Sequence, residues 1–459
     1  MPRNYEWLTL SRWAKEYGDI VYLEAFGQPL ILLNSYKVAK DLLEKAVYAD
    51  RPHLEMARLS GFDKTFVLQR YNEDWRRQRK IASQDLAPRM VPRYHTFLES
   101  EARFLARDLL QDPSRLAHLI SLKAGTILIR ISYGHYVSTD DDPFLTLIRA
   151  SMSVFTRSAA AGVFSVLLDV RVNSNIVTVK YLPPWLPGTK FLAKAKGWRD
   201  IVRKAVWAPY AKSKHSLESG GALLPNTCAT ALAAIGDGLS PDLEEQLVWA
   251  AGTMTAGGLE TLIIGMLNLI LALILNPAVQ AKAQAEIDTV IGRDRLPTIS
   301  DQVSLPYVRS VVVEVFRLNP PIPLGVFHAL SQDDIYQGMH IPKGSIVMAN
   351  IWYDEGPACE HERTLRESVL RHMLHDPEVF TDPMEFRPER YQNLDFEMEK
   401  VTSAVFGFGR RSCPGKSLAE STLFAFAATV LATCEIVPKV DKEENDMMPN
   451  VTYSSGIFR

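Results

Sequence analysis

The sequence predicts a mainly α-helical protein with one small β-rich region. Three observations carry that expectation. Helical patterning dominates from Trp75 to about Leu275, broken by a disrupted region between Val170 and Gly188. Strand-like runs are short and confined to Ile20–Phe26, Pro29–Leu33, the stretch between Ile335 and Met348, and the tail. Near the C-terminal end, a Gly-rich run leads into another apolar helix, Lys416 to Ala432.

The elements follow in order. Trp7 to Tyr17 reads as a helix. Ile20–Phe26 and Pro29–Leu33 read as a hairpin turning at Gly27-Gln28. Ser35 to Ala46 is a helix, and the chain is irregular from Arg51-Pro52 to about Asn72. The longest apolar run, Leu262 to Leu275, extends back to Leu247, long enough to span a membrane. Glu260, Thr261 and Asn268 interrupt it, so the expectation is the buried central helix of a soluble domain. Pro277 opens a helix to Ile291, since Pro is tolerated in a first turn. Tyr307 to Leu318 is a helix ended by Asn319-Pro320-Pro321. Short strands are expected at Ile335–Tyr336, Met339–Pro342 and Ser345–Met348. No internal repeat stands out, and residues 1–459 read as one domain. Tyr353–His372 and Val170–Val179 fit poorly and are expected to be insertions. For the first, translated non-coding sequence is the favoured origin.

Composition excludes several classes. The 459 residues carry a formal net charge of -2, which gives no bulk attraction to nucleic acid. The four cysteines, Cys228, Cys359, Cys413 and Cys434, form no CxxC pair and suggest no disulfide framework. A cytosol-facing, reducing location fits them. No hydrophobic anchor opens the chain. No Gly-x-Gly-x-x-Gly follows a strand, so no flavin or nicotinamide module is expected.

Cys413 lies in Phe406-Gly407-Phe408-Gly409-Arg410-Arg411-Ser412-Cys413-Pro414-Gly415, just before the helix that begins at Lys416. Helix N–H groups, the helix dipole and nearby arginines favour a thiolate there. Such a sulfur is a metal ligand or a nucleophile; an inert buried cysteine is the plain alternative. Gly257-Gly258 cost about 1 kcal/mol each relative to Ala inside a helix. Either a flat ligand approaches there, with a local kink, or a neighbouring helix packs close. Glu260 and Thr261 pair an acid with a hydroxyl, able to relay protons. Glu314 and Arg317 share a helix face, as a buried brace or an ordinary surface pair. Trp75 and Arg79 are one turn apart and both donate hydrogen bonds; a plain amphipathic basic helix has the same pattern. His328 follows Pro323-Leu324-Gly325-Val326-Phe327 in a loop.

Taken together and in this order, these segments resemble the cytochrome P450 family over nearly the whole chain. Phe406 to Gly415 is similar to its haem-binding loop, Phe-x-x-Gly-x-Arg-x-Cys-x-Gly. Gly257 to Thr261 resembles its oxygen-activation motif, with Glu260 in place of the commoner Asp and Leu262 in place of a frequent Thr or Ser. Glu314, Arg317 and Arg390 match a Glu–Arg–Arg cluster that braces the haem loop. Arg51-Pro52, Ile341-Pro342-Lys343-Gly344, Leu374-His375-Asp376-Pro377 and Phe386-Arg387-Pro388-Glu389-Arg390 look like the fungal microsomal, O-methylsterigmatocystin oxidoreductase-like branch.

The resemblance implies the cytochrome P450 fold, with haem b (iron protoporphyrin IX) between the central helix and the Cys loop. Cys413 is then the axial iron ligand. Trp75, Arg79, His328 and Arg411 donate to the propionates, and Gly257, Gly258, Phe406 and Gly415 lie against the cofactor. Glu260 and Thr261 deliver protons to bound O2. The implied activity is a monooxygenase acting on a lipophilic substrate, in fungal secondary metabolism or xenobiotic oxidation. Leu54 to Phe66, Val326 and Ser454 to Ile457 are expected to line its pocket. Electrons come from an NADPH-cytochrome P450 reductase, docking on Arg76, Arg77, Lys80, Arg410 and Lys416; a merely solvated basic patch is the alternative. The implied location is the cytosolic face of the endoplasmic reticulum membrane. Relatives carry an N-terminal anchor, a Pro-rich hinge and a final strand, so this chain is expected to be a truncated product. Two rivals stand beside this reading. One is a haem-binding relative without turnover, inactive or isomerase-like. The other is a zinc protein using Cys359, His361, His372 and His375.

Overall fold

A computed structural model of the chain describes residues 10, 13, 14, 16–25, 27–159, 171–172, 175–176, 189–351, 373–377, 379–391, 395–441 and 446–449. Its strands and helices alternate unevenly along the chain. Strands β1 (Ile20–Ala25) and β2 (Gln28–Leu33) precede helices α1 (Tyr36–Leu43), α2 (Glu55–Leu59) and α3 (Glu73–Leu86). Then come α4 (His95–Gln111), α5 (Leu116–Tyr133) and α6 (Pro143–Ala159). Two short strands, β3 (Arg171–Val172) and β4 (Asn175–Ile176), pair within the segment read as a second insertion. Helices α7 (Lys190–Glu218), α8 (Thr227–Ile235), α9 (Pro241–Leu275), α10 (Pro277–Val290) and α11 (Pro306–Leu318) follow. The last elements are β5 (His328–Ala329), β6 (Asp334–Tyr336), β7 (Met339–Ile341), β8 (Ile346–Ala349), α12 (Asp395–Phe406), α13 (Lys416–Thr433), β9 (Lys439–Val440) and β10 (Asp446–Met447). The mainly helical expectation holds.

Local chemistry sets the helix ends that matter for function. Asn72 accepts a hydrogen bond from Trp75 N at 3.0 Å and so starts α3. Ser240 does the same for Leu243 N at 3.2 Å, with Pro241 in the first turn, so α9 begins six residues before the expected Leu247. Asn276-Pro277 ends it. α9 is long and apolar enough to cross a membrane. Here it is the hub of the fold, packed against α3, α5, α6, α7, α8, α10, α11 and α13. Burial on that many sides explains an apolar pattern with little amphipathicity.

The larger sheet has the order β1-β2-β8-β5. β1 and β2 form the expected hairpin, with Ala25 opposite Gln28 and Ile20 opposite Leu33. β2 pairs in parallel with β8, Leu30 opposite Ile346, which ties residues over 300 positions apart. β5 closes the sheet on β8, and Asp50 bridges to Ala329. That bridge brings the Tyr48–Arg51 segment against His328.

Two expectations change. The stretch from Arg51 to Asn72, read as irregular, contains α2 and a 3-10 turn at Phe62–Lys64. Five residues are too few to show a helical period, and contacts with α6 and α7 hold α2 in place. The helix expected to reach Ala46 stops at Leu43, and Ala46–Tyr48 tightens into a 3-10 turn. Of Trp7–Tyr17, residues 10, 13, 14, 16 and 17 are helical. The rest of that segment, the whole of 353–372, and 451–459 lie outside the described residues, as do 170, 173–174 and 177–179.

Candidate functional site

The Cys loop is fixed from both sides. α12 ends at Phe406, whose carbonyl accepts the Cys413 N–H at 2.7 Å. Gly407 and Gly409 take φ of 82° and 56°, values that favour glycine. A Cβ on Gly409 would lie 2.7 Å from the Leu43 carbonyl oxygen and 2.9 Å from Glu44 Cα, so the loop presses on the end of α1. Gly415 caps α13, and a Cβ there would meet Cys413 Sγ at 3.7 Å. The loop thus delivers one sulfur to the start of a helix.

The electrostatics of that sulfur correct the sequence reading. Gly415 and Lys416 N–H groups and the Arg79 charge do favour the thiolate. Burial acts the other way and is larger, so the free thiol is pushed up. Yet by surface area Cys413 is exposed. A sulfur that lies deep and still presents open surface faces an internal space. A metal cation bound there would take the place of its proton.

Glu314, Arg317 and Arg390 meet as expected, and more tightly than a spacing of three implies. Glu314 Oε1 accepts from Arg317 Nη2 at 2.9 Å, Arg387 N at 2.9 Å and Arg390 Nε at 3.0 Å. Its Oε2 accepts from Arg317 Nε and from Tyr391 Oη, both at 2.8 Å. Arg317 also donates to the carbonyls of Leu374, Pro383 and Glu385. The cluster therefore stitches α11 to the chain before Tyr391. It reaches the Cys loop through Phe316, whose ring meets Phe406 edge-on at 5.3 Å. Tyr391 was not anticipated; a phenol beside a Pro-Glu-Arg turn carries no spacing signal of its own.

The two glycines of α9 divide the two readings made of them. A Cβ on Gly258 would lie 2.8 Å from Leu128 Cδ2, so this glycine serves packing against α5. Gly257 has nothing within 4 Å of a Cβ and is exposed inside the fold's central helix. It therefore opens a flat patch onto free space. The helix runs unbroken past both. Thr261 Oγ1 donates to the carbonyls of Gly257 at 3.1 Å and Gly258 at 3.2 Å. Glu260 is half-buried, and burial raises its carboxyl above the ordinary range, with Arg149 opposing.

A cationic cluster closes the other side. Trp75 is buried, with Arg411 over its ring at 4.7 Å and Arg79 at 5.7 Å. Arg79 donates to the Ser412 carbonyl at 2.9 Å, joining α3 to the Cys loop. Arg411 donates to the carbonyls of Ala49, Phe66 and Gln69. His328 Nδ1 lies 2.8 Å from the Tyr48 carbonyl. Arg51, read from the sequence only as part of the Arg51-Pro52 wording and given no role at the site, joins them: it is 6% exposed and donates to the carbonyls of Val67, Val326 and Phe327. The three guanidinium groups repel one another, and Asp50 is the offsetting carboxylate. A planar guanidinium has five N–H donors, so each keeps donors to spare. Among the described residues Trp75 Nε1 has no acceptor. A buried surplus of positive charge with free donors suits a dianionic ligand edge. Together with the open patch at Gly257 and the sulfur, these residues fit a haem.

Other candidates sort as follows. Arg76, Arg77, Lys80 and Arg410 are exposed, whereas Lys416 turns inward and donates to Thr402 Oγ1 at 2.8 Å. Within Leu54 to Phe66, Phe62 turns into the core against Phe155. Leu54, Arg58 and Asp63 instead border a cavity of about 470 Å³ also lined by Asp242 and Glu245, more polar than the expected apolar lining. Val326 is half-buried. Ser454–Ile457, and Cys359, His361 and His372 of the zinc alternative, lie outside the described residues, while His375 is 1% exposed.

The family model described as Cytochrome P450 matches residues 6–354 and 368–456. Cytochrome P450 monooxygenase 105 of Postia placenta is 46% identical over 459 residues, covering 99% of this chain and 83% of the relative. Cytochrome P450 monooxygenase COX1 of Coprinopsis cinerea is 35% identical, covering 100% of this chain and 86% of the relative. A zebra fish cytochrome P450 solved with progesterone has the same fold, with a TM-score of 0.73 at 21% identity, covering 100% of this chain and 99% of that one.

Proposed function

The chain belongs to the cytochrome P450 family of haem b monooxygenases, and we propose that its Cys413 thiolate holds the haem iron. One observation carries this assignment: Cys413, the open Gly257 patch and the Trp75–Arg79–Arg411 cluster are built by elements that all converge on α9 and the Cys loop. Haem b, when bound, supplies dioxygen activation and the insertion of one oxygen atom into substrate.

The chain's own residues set the conditions. Cys413 would hold the iron through its sulfur, a donor of electron density. Gly415 and Lys416 N–H groups steady its charge, and Arg79 adds a positive one. Arg79, Arg411, Trp75 and His328 would hold the haem carboxylates. Glu260 keeps a proton to higher pH than an exposed carboxyl, which suits a donor. Thr261 has its own hydrogen committed to carbonyls, so its oxygen is left to accept a proton. Glu314, Arg317 and Arg390 act on structure alone.

Electrons come from a separate NADPH-dependent reductase meeting the exposed Arg76, Arg77, Lys80 and Arg410 at the cytosolic face of the endoplasmic reticulum. The substrate is a lipophilic molecule of secondary metabolism or a xenobiotic. Residues 353–372 are an insertion in a single domain, a reading supported by the break in the family match between 354 and 368. The test is reconstitution with reductase under isotopically labelled dioxygen. Substrate-dependent NADPH consumption with one labelled oxygen in the product is expected. A haem-loaded protein that consumes no NADPH across a panel of lipophilic substrates belongs instead to the non-turnover rival.

A further inference from the structure

We infer that seating a haem carboxylate against His328 takes up one proton at Nε2 of its ring, an inference that rests on the haem reading above. The argument starts from the other nitrogen. His328 Nδ1 lies 2.8 Å from the Tyr48 carbonyl oxygen. A carbonyl only accepts, so Nδ1 carries hydrogen. A neutral ring then has a bare lone pair at Nε2, and among the described residues nothing bonds to that atom. The ring cannot turn over to exchange the two nitrogens without losing the Tyr48 bond. Its backbone is held as well, since Ala329 N donates to the Asp50 carbonyl at 2.9 Å.

The surroundings keep the ring neutral. His328 is 8% exposed. The charged groups facing it are Arg51, beside it on the Asp50 segment, and Arg411, from the Cys loop. Arg79 of α3 stands behind these two, and Asp50 partly offsets them. Burial is the largest influence and the two guanidinium groups add to it, so the ring's basicity falls well below the ordinary histidine range. The donation expected of this residue from the sequence therefore requires an imidazolium that the protein alone does not form.

A carboxylate brought to Nε2 changes the balance. Lone pair facing lone pair repels; an N–H facing a carboxylate attracts, in a charge-assisted bond. One proton comes from solvent to Nε2, the ring gains one positive charge, and the carboxylate offsets it. No other bond is made or broken. Binding raises the ring's affinity for the proton, so haem affinity is highest below the free ring's pKa. It falls by at most tenfold per pH unit as pH rises from there to the raised value in the complex, and is level above it.

Haem loss from the holoenzyme to excess apomyoglobin, followed by visible absorbance from about pH 6.5 to about pH 9, reads this coupling. The wild type is expected to lose haem faster as pH rises, approaching tenfold per unit. His328→Gln is expected to be fast and nearly flat. His328→Arg, whose charge is permanent, is expected to be slower and flat. A flat wild-type profile, or a His328→Gln profile as steep as the wild type, overturns the inference. Protonation of the sulfur promotes loss in the acid direction and is not confused with this trend. The carbon monoxide spectrum of the same reduced samples separates the two levels. A thiolate-type band with a flat profile removes the His328 role alone. A missing band removes the haem-thiolate reading, and this inference with it.

Discussion

Glu314 and Arg317 face each other as a two-pronged pair within α11, Nε to Oε2 at 2.8 Å and Nη2 to Oε1 at 2.9 Å, with both side chains at 0% exposure. Two buried charges are stabilising only if every donor and acceptor is matched. Arg390, the Arg387 N–H and Tyr391 complete that match. Glu314→Gln leaves two buried guanidinium groups facing a neutral amide. It is expected to destabilise by about 3–5 kcal/mol, read as a lower urea midpoint and lower haem content on purification. A change under about 1 kcal/mol would show the cluster to be dispensable for the fold.

Gly409→Ala meets two penalties at once. Its φ of 56° disfavours any side chain, by about 1–2 kcal/mol. The new methyl also collides with backbone of Leu43 and Glu44, which cannot rotate away. Gly292→Ala is the control, with φ of 78° and nothing within 4 Å of a Cβ. The melting temperature is expected to drop further for Gly409→Ala, and only that variant should lose haem.

The glycine pair of α9 separates just as cleanly. Gly257→Ala gains helix propensity, about 1 kcal/mol, and meets no protein atom. Its melting temperature should hold or rise while its haem absorption shifts. Gly258→Ala must push Leu128 aside, an overpacking cost of about 1–3 kcal/mol that cancels or exceeds the same gain. Equal thermal shifts for the two variants would contradict the division of roles.

Glu260 carries a pH signature. Its folded carboxyl titrates above the ordinary value, with burial as the main cause. The folded state therefore holds its proton more tightly than the unfolded chain. Its contribution to stability is fully present below the ordinary carboxyl pKa, and is lost as pH rises through the raised value. Glu260→Gln removes that loss. The variant should gain melting temperature relative to wild type at pH 8 and not at pH 4, while turnover falls by about 10²-fold or more for want of a proton donor. Unchanged turnover would remove Glu260 from proton delivery.

Much of this architecture is legible in the sequence, for identifiable reasons. α9 announces itself by an apolar run, though its polar first turn hides the start at Pro241. Gly407 and Gly409 declare a loop because the positive φ each adopts is a local demand. Arg51 is not legible: its guanidinium holds carbonyls at Val67 and Val326, and no local spacing shows such a pairing. The sulfur's charge is half legible. Neighbouring N–H groups and arginines can be read along the chain, but the depth that outweighs them is a property of the packed fold. Gly257 and Gly258 look alike in sequence because only the position of Leu128 tells them apart.

The most direct measurement is the spectrum of the reduced protein under carbon monoxide, wild type beside Cys413→Ser. Thiolate ligation by residue 413 predicts a red-shifted Soret band in the wild type and none in the variant. A variant that folds, binds haem and keeps the wild-type band would place the iron on some other side chain and contradict the account.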